Sequence, residues 1–417
     1  MKFRSIKGTR DILPEESHRW INLEGILRDR MRLFNYREIR TPLFEETALF
    51  ARSIGELTDI VGKEMYTFQD QGGTSLTLKP EMTASVVRAY IQNNLGELQP
   101  LQKVYYISPM FRQERPQAGR LRQFTQFGAE AIGGPNPEID AEVIALACDI
   151  YAAVGIKNIL LKINSVGCEK CRPAYKQKLQ EFFRDILDQL SEQSRARFEG
   201  NPLRILDSKD EKDQALTKDA PLMKDHLCPE CNTHFQRLLE VLKQLDIPFV
   251  IDGRIVRGLD YYTKTAFEIV STDLGSQDAL AGGGRYDLLV QQLGGKPTPA
   301  VGWAAGMERL LMVMEKQFVP AGENNYPVIF LVGADDDGRK WSIGETMKLR
   351  RNTIACECDL LGRSVKSQMR EADRQKADYV LIVGENELKA NKGILKNMNT
   401  GAQEQIALDS IHSKFKS

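Results

Sequence analysis

The sequence predicts a mixed α/β chain of two or three domains. A larger strand-and-helix domain is interrupted by a charged helical insertion, and a smaller α/β domain follows. Three observations lead there. A chain of 417 residues exceeds what one hydrophobic core organises. Strand-like and helical patterns alternate to about Ile163, give way between Cys168 and Leu245 to dense charge with helical spacing, and resume at Phe249. The breaker-rich stretch Val319-Pro-Ala-Gly-Glu-Asn-Asn-Tyr-Pro327 then separates a last block with its own strand and helix pattern. The expected boundaries are 1–325, with the insertion at about 168–245, and 326–417.

In chain order, Ile21, Leu23, Ile26, Leu27, Met31 and Phe34 give a helical repeat from Trp20 to Phe34. Val104 to Ile132 reads as two strands joined by a Pro/Gly-containing loop that carries Arg112, Arg115, Arg120 and Arg122. Period two in the second strand places Phe124, Gln126, Gly128 and Glu130 on one face. A glutamine and a glutamate beside a ring and a glycine suit a polar pocket floor; the plainer alternative is the solvated face of an antiparallel sheet. In the insertion, Leu179, Phe182, Phe183, Ile186, Leu187 and Leu190 repeat at helical spacing, and a further helix is expected around Glu308 to Met314. The final block reads as strand Val328–Val332, helix Ile343–Leu349, strand Thr353–Cys358, helix Ser364–Gln375 and strand Tyr379–Val383.

Composition narrows the class without naming it. Forty-two per cent hydrophobic and 27% charged residues are ordinary for a globular protein. No apolar run nears the roughly 20 residues of a membrane helix, and the first residues lack a signal-peptide core, so a cytoplasmic protein is expected. Lysine plus arginine equals aspartate plus glutamate, 57 each, so any RNA contact must come from local patches. Seven cysteines without a secretion signal argue against a disulfide framework. Four of them form Cys168-Glu-Lys-Cys171 and Cys228-Pro-Glu-Cys231. Paired Cys-x-x-Cys units can aim four thiolates at one tetrahedral zinc. A structural zinc, four reduced unliganded thiols and a redox pair all remain open on spacing. His226 and His234 could substitute as ligands but are read as surface residues, and Cys356 and Cys358 as packing residues on one strand face.

Several segments, in order, carry a resemblance. Phe111-Arg-Gln-Glu-Arg115 with Gly119-Arg-Leu-Arg-Gln-Phe-Thr-Gln126 resembles the second signature motif of class II aminoacyl-tRNA synthetases in its histidine form. Leu78-Lys-Pro-Glu-Met-Thr-Ala-Ser-Val-Val-Arg-Ala-Tyr90 is similar to the family's amino-acid-binding segment, with Lys79 where arginine is usual. Arg257-Gly-Leu-Asp-Tyr-Tyr-Thr-Lys-Thr-Ala-Phe-Glu268 resembles a peptide confined to histidyl-tRNA synthetases and their close paralogues. Ala281-Gly-Gly-Gly-Arg-Tyr-Asp287 and Ala300-Val-Gly-Trp-Ala-Ala-Gly-Met-Glu-Arg-Leu310 match the family's glycine-rich turn and third motif. Tyr36-Arg-Glu-Ile-Arg-Thr-Pro-Leu43 is the candidate first motif, whose strand would form a homodimer interface.

The resemblance implies a class II aminoacyl-tRNA synthetase fold. That is an α+β catalytic domain built on an antiparallel sheet, then a C-terminal α/β anticodon-binding domain. It implies ATP with Mg2+, histidine and a histidine tRNA as ligands. ATP would meet Arg112 at its α-phosphate, Glu114 at the adenine amino group and Arg309 stacked on the base; an arginine fork suits phosphate because it donates two parallel, charge-assisted bonds. Histidine would meet Glu81, Met82, Thr83, Arg112, Gln126, Glu130, Arg257, Tyr261, Tyr262 and Tyr286. Glu81, Thr83 and Gln126 would cage the ammonium, while Glu130 and Tyr262 would recognise the imidazole. Arg257 and Arg112 would be the catalytic cations. Thr83 is also the expected cap of the helix that follows it.

In the C-terminal block, Arg363, Lys366, Arg370 and Arg374 would form one basic stripe if the helix covers them all. The alternative function is a paralogue acting as a regulatory subunit of ATP phosphoribosyltransferase, or an RNA-binding protein without enzymatic activity. Such paralogues usually lose active-site residues and the C-terminal domain, and this chain keeps Arg112, Arg257, Arg309 and that domain.

Overall fold

The computed structural model describes residues 3–54, 60–117, 119–208, 210–256, 259, 261–274, 279–320, 322 and 326–415. The chain divides into two compact units, Met1–Ala321 and Gly322–Ser417.

The strands of the first unit are β1 (Arg37–Glu38), β2 (Phe44–Glu46), β3 (Tyr66–Gln69), β4 (Ser75–Leu78), β5 (Gln102–Phe111), β6 (Gln123–Ile132), β7 (Ile159–Ser165), β8 (Phe249–Ile251), β9 (Thr263–Ser271), β10 (Ala279–Arg285) and β11 (Ala300–Gly306). Eight form one sheet in the order β1-β5-β6-β11-β10-β9-β7-β8. The six central strands are antiparallel, and a parallel strand closes each edge, β1 on β5 and β8 on β7. β2, β4 and β3 make a small separate sheet.

Alternation along the central strands gives the sheet two different faces. Phe127, Ala129 and Ala131 of β6, Phe267 and Ile269 of β9 and Trp303 and Ala305 of β11 enter the main apolar core. Four helices cover that face: Pro14–Leu33, Pro137–Val154, Pro229–Gln244 and Met307–Lys316. Each is built for it. Pro14–Leu33 starts with proline at its first position, where no N–H is needed, and buries Trp20, Leu23, Leu27 and Met31. Ile21 falls on the opposite side and is 67% exposed, so the stripe is narrower than the expected repeat. Pro137–Val154 likewise opens on proline and closes at Gly155, whose positive φ of 88° caps the last carbonyls.

The insertion leaves the sheet after β7 and returns at β8. It has its own apolar cluster, including Tyr175, Leu179, Phe183, Leu190, Ile205 and Met223. Its first helix, Arg172–Arg184, ends before Ile186, so the expected repeat spans a helix and the turn after it rather than one helix.

The second unit carries β12 (Ile329–Gly333), β13 (Cys356–Cys358), β14 (Tyr379–Val383), β15 (Lys392–Asn397) and β16 (Gln403–Ala407) in the order β13-β12-β14-β15-β16. β13, β12 and β14 are parallel, with helices Asp336–Arg351 and Val365–Arg374 between them; β15 and β16 add an antiparallel hairpin. Cys356 and Cys358 are buried core residues, as expected. The basic stripe is not continuous. Arg363 precedes the helix, whose cap is Ser364. Arg363 and Arg374 both donate to the Glu371 carboxylate, and their hydrogen bonds with that of Gln375 hold its pKa down at about 2. Lys366 and Arg370 remain exposed.

Candidate functional site

The face of the sheet away from the main core opens into a cavity of about 1050 Å³. Its floor starts with β6. Gln126 lines the cavity, and Glu130, two pleats deeper, is completely buried. The Thr83 hydroxyl donates to one oxygen of Glu130 at 2.7 Å, and the Tyr286 hydroxyl to the other at 2.6 Å. Burial pushes the Glu130 carboxyl up to about 8 against those two hydrogen bonds, and neighbouring Glu81 adds to the rise. The neighbouring strand makes room for this acid: a Cβ on Gly302 would lie 1.6 Å from Glu130 Oε2.

Glu81 and Thr83 sit where the helix Thr83–Gln92 begins, but the cap expected of Thr83 is supplied by Glu81. The Glu81 carboxylate accepts the backbone N–H groups of Thr83 and Ala84 at 2.8 and 2.9 Å, so it caps the helix. Thr83 is the first helical residue and turns its hydroxyl to Glu130 instead. Burial raises the pKa of Glu81, and the two backbone donors pull it back only partly. Met82 and Thr83 line the cavity beside it.

Tyr261 and Tyr262, just before β9, stack at 4.7 Å between ring centroids, and Tyr261 meets Tyr286 edge-on at 5.7 Å. All three line the cavity. Tyr286 is fixed from below by its neighbour Arg285, a fully buried guanidinium that donates to Asp140, to Asp287 and to the carbonyl of Gly134. Burial alone would raise Asp140, but the His234 hydrogen bond and the Arg285 charge outweigh it and leave its pKa below the ordinary value. His234 is therefore a buried partner of Asp140, at 2.8 Å, and not a surface residue. His226 is half-buried too, with its ring against Tyr175.

The other end of the cavity is cationic. Arg112 donates Nε–H to the carbonyl of Pro80 at 2.9 Å and lies 5.3 Å over the Phe124 ring. These contacts fix the guanidinium while its two terminal amino groups keep no partner among the described residues. Glu114 pairs with Arg120 at 3.4 Å. Arg309, on the first turn of the helix Met307–Lys316, donates to the carbonyls of Gly119 and Ala279. Arg257 and Asp260 lie outside the described residues.

The arrangement can hold a polar molecule with a cation at one end and anionic groups at the other. One buried oxygen of the cavity wall, Gln126 Oε1, has no hydrogen-bond partner among the described residues, which is costly unless a ligand supplies one.

Comparison with known proteins shows the family of the chain. A sequence profile described as histidyl-tRNA synthetase matches residues 8–310, and one described as an anticodon binding domain matches 346–417. The chain belongs to the histidyl-tRNA synthetase family. It is 51% identical to a histidine–tRNA ligase of Chloroherpeton thalassium over 100% of this chain and 98% of that one. A histidine–tRNA ligase of Desulforamulus reducens is 48% identical, with 97% of each chain covered. The crystal structure of apo histidyl-tRNA synthetase from S. aureus superposes with a TM-score of 0.85 at 38% identity, covering 100% of both chains.

Of the family's expected site residues, Glu81, Met82, Thr83, Arg112, Glu114 and Gln126 line this one cavity, together with Tyr261, Tyr262, Tyr286 and Arg309. Glu130 lies just beneath them. Sequence reasoning missed Tyr106, which pairs with Gly128 across β5 and β6 and so shares the floor face. Strand register, added to the period-two pattern, would have found it. It also missed the Asp140–Arg285–His234 cluster, whose members are far apart in sequence.

The four cysteines of the two pairs also converge. Their sulfurs all lie within 4.8 Å of one another. Cys168 Sγ is 3.7 Å from Cys171 Sγ and 3.9 Å from Cys228 Sγ. Four ligands about 2.3 Å from a tetrahedral zinc stand about 3.8 Å apart, so the donor set and its spacing fit that ion.

Proposed function

We propose that the chain ligates histidine to its cognate tRNA in two steps, forming histidyl-adenylate from histidine and ATP and then transferring the histidyl group. The observation that carries the histidine part is the cavity floor. A buried glutamate, held by two hydroxyls, lies beneath a wall of tyrosines, and beside it is a glutamine oxygen with no partner among the described residues. A neutral imidazole has one donor and one acceptor nitrogen, and a carboxylate with a phenol satisfies both. The assigned pair is Glu130 with Tyr262. Glu81, Thr83 and Gln126 take the three ammonium donors.

ATP enters with Mg2+ at the cationic end. Arg112, with its amino groups uncommitted, grips the α-phosphate; Glu114 faces the adenine amino group and Arg309 lies on its ring. Activation is an in-line attack of the histidine carboxylate on the α-phosphate, which calls for fixed positive charge at the developing centre. Arg112 supplies one side and Arg257, by its motif, the other. The Gly322–Ser417 unit reads the tRNA at its anticodon, supported by the profile match at 346–417.

The protein works as a cytoplasmic homodimer; exposed Leu43, Phe44 and Phe68 around the small sheet supply apolar surface for a second copy. The four thiols hold a structural zinc. With every ligand position taken by protein, such an ion has no place in the chemistry. Nothing observed favours the regulatory-subunit reading. Histidine-dependent exchange between ATP and pyrophosphate is the direct test. No exchange, or exchange indifferent to the amino acid added, would overturn the proposal.

A further inference from the structure

The geometry points to a second role for the four cysteines: we infer that they form a zinc clasp which braces the histidine pocket, so that histidine affinity depends on the metal. This rests on the zinc reading above and goes beyond it, because a purely local zinc would stabilise the insertion and leave the pocket alone.

Both cysteine pairs open helices. Cys171 immediately precedes Arg172–Arg184, and Cys228 immediately precedes Pro229–Gln244. Two helix N-termini therefore converge on the sulfurs. The backbone N–H of Cys228 donates to Cys171 Sγ at 3.1 Å, a bond from one pair to the other that a metal thiolate accepts well. Gly167 lets β7 turn straight into the first pair. Its φ is +64°, and a Cβ there would lie 2.9 Å from the Cβ of Cys171.

From this cluster a short path leads to the pocket. Val166 and Gly167 pair through backbone bonds with Lys264, at 2.7 and 2.8 Å, just beyond the tyrosines. Arg172, the residue after Cys171, donates Nε–H to the carbonyl of Val166 at 3.1 Å and a terminal N–H to the carbonyl of Tyr262. Arg172 does not line the cavity, whereas Tyr262 does. It is a positioning residue. Its guanidinium ties the first turn of the insertion to the backbone of the pocket wall, and Cys171 sets where that turn begins.

Without a metal, the Cys168–Cys171 and Cys228–Cys231 turns are joined among the described residues by contacts to sulfur and by the Lys170–Glu230 ion pair at 3.4 Å, which is exposed and worth little. The insertion keeps its own core of Tyr175, Leu179, Phe183 and Leu190. The turn before that core is then free to shift, and Arg172 with it.

The test uses the full chain. Metal analysis of protein purified without chelator should find about one zinc per chain. Histidine binding, measured by calorimetry without ATP, should weaken about tenfold when a strong chelator removes the zinc, the range expected for one charge-assisted hydrogen bond. ATP binding should stay within about twofold, and added zinc should restore the histidine affinity. Arg172→Ala should keep the zinc, lose histidine affinity to the same degree, and no longer respond to zinc removal; Arg172→Lys should recover part of the loss. Cys228→Ser with Cys231→Ser should match the chelated protein, and if that variant does not fold, the chelated wild type and Arg172→Ala decide the matter. No zinc in the native protein overturns both the zinc reading and the clasp. Zinc present with histidine affinity indifferent to its removal, or with histidine and ATP affinities falling together, overturns the clasp alone.

Discussion

Replacing Glu130 with glutamine isolates the one buried acid beneath the cavity. The carboxyl is fully buried, and burial holds its pKa at about 8 in the folded chain. In the unfolded chain it titrates near 4.5. Below both values the acid is protonated in either state and costs nothing. As pH climbs from 4.5 to about 8, the unfolded state releases its proton first, so it binds fewer protons than the folded state and stability must fall. At about 1.4 kcal/mol per pH unit, the loss over that window is on the order of 5 kcal/mol. Glu130→Gln keeps the shape and can still meet the Thr83 and Tyr286 hydroxyls, but it cannot ionise. The variant should therefore gain on the wild type steadily from pH 5 to 8.5.

Denaturant unfolding followed by tryptophan fluorescence reads this, in a Trp341→Phe background so that Trp20 and Trp303 report on the larger unit. Pairing with the imidazole adds a second signature. The variant should lose histidine affinity by roughly 1.5–3 kcal/mol, ten- to a hundredfold, with ATP affinity nearly unchanged. Both affinities should rise as the imidazole of the ligand loses its proton near pH 6.5, but only that of the wild type should keep improving toward pH 8. Parallel stability curves for the two proteins would refute the buried-acid argument, and an unchanged Michaelis constant for histidine would remove Glu130 from recognition.

Three further outcomes are expected. Gly302→Ala places a methyl on the Glu130 carboxylate, so it should destabilise the chain by about 1–3 kcal/mol and raise the Michaelis constant for histidine; normal histidine kinetics would mean the floor can shift freely. Arg257→Ala should lower exchange turnover by about two to three orders of magnitude with smaller changes in Michaelis constants, with Arg257→Lys rescuing only partly; near-normal turnover in a folded variant would end the catalytic role. A chain ended near Val319 should still form histidyl-adenylate but charge tRNA poorly, and normal charging by it would take the anticodon role from the second unit.

How far the residues alone could be read follows from how far each signal reaches along the chain. Period two in β6 gave the floor face because alternation is a property of one strand. The strands of the second unit with apolar runs, such as Ile329–Gly333 and Tyr379–Val383, were legible for the same reason. The hairpin of Lys392–Asn397 and Gln403–Ala407 was not: its burial is mostly one-sided and its side chains are largely polar. That Glu81 and not Thr83 caps the helix was hidden because a threonine before a helix is an equally good cap on local grounds. What decided it was Glu130, 47 residues away, which takes the threonine hydroxyl. Likewise no spacing rule joins Asp140, His234 and Arg285, since only the packing of the helices Pro137–Val154 and Pro229–Gln244 against the sheet brings them together.

The place where the insertion joins the sheet has a consequence for what the chain can tolerate. β7 and β8 lie side by side and parallel, with Leu161 opposite Phe249 and Ile163 opposite Ile251. Parallel neighbours always require a crossover that carries the chain back to the starting edge. Residues 166–248 are that crossover, grown to the size of a lobe. Since β8 is the last strand of the sheet, no other pairing depends on what lies between. Closing a longer or shorter connection costs little, about 0.6 kcal/mol per doubling. Chain closure therefore sets no fixed length for the lobe; what constrains it is the contacts it makes back to the sheet, with Phe235, Leu238 and Leu242 in the main core, His234 on Asp140 and Arg172 on Tyr262.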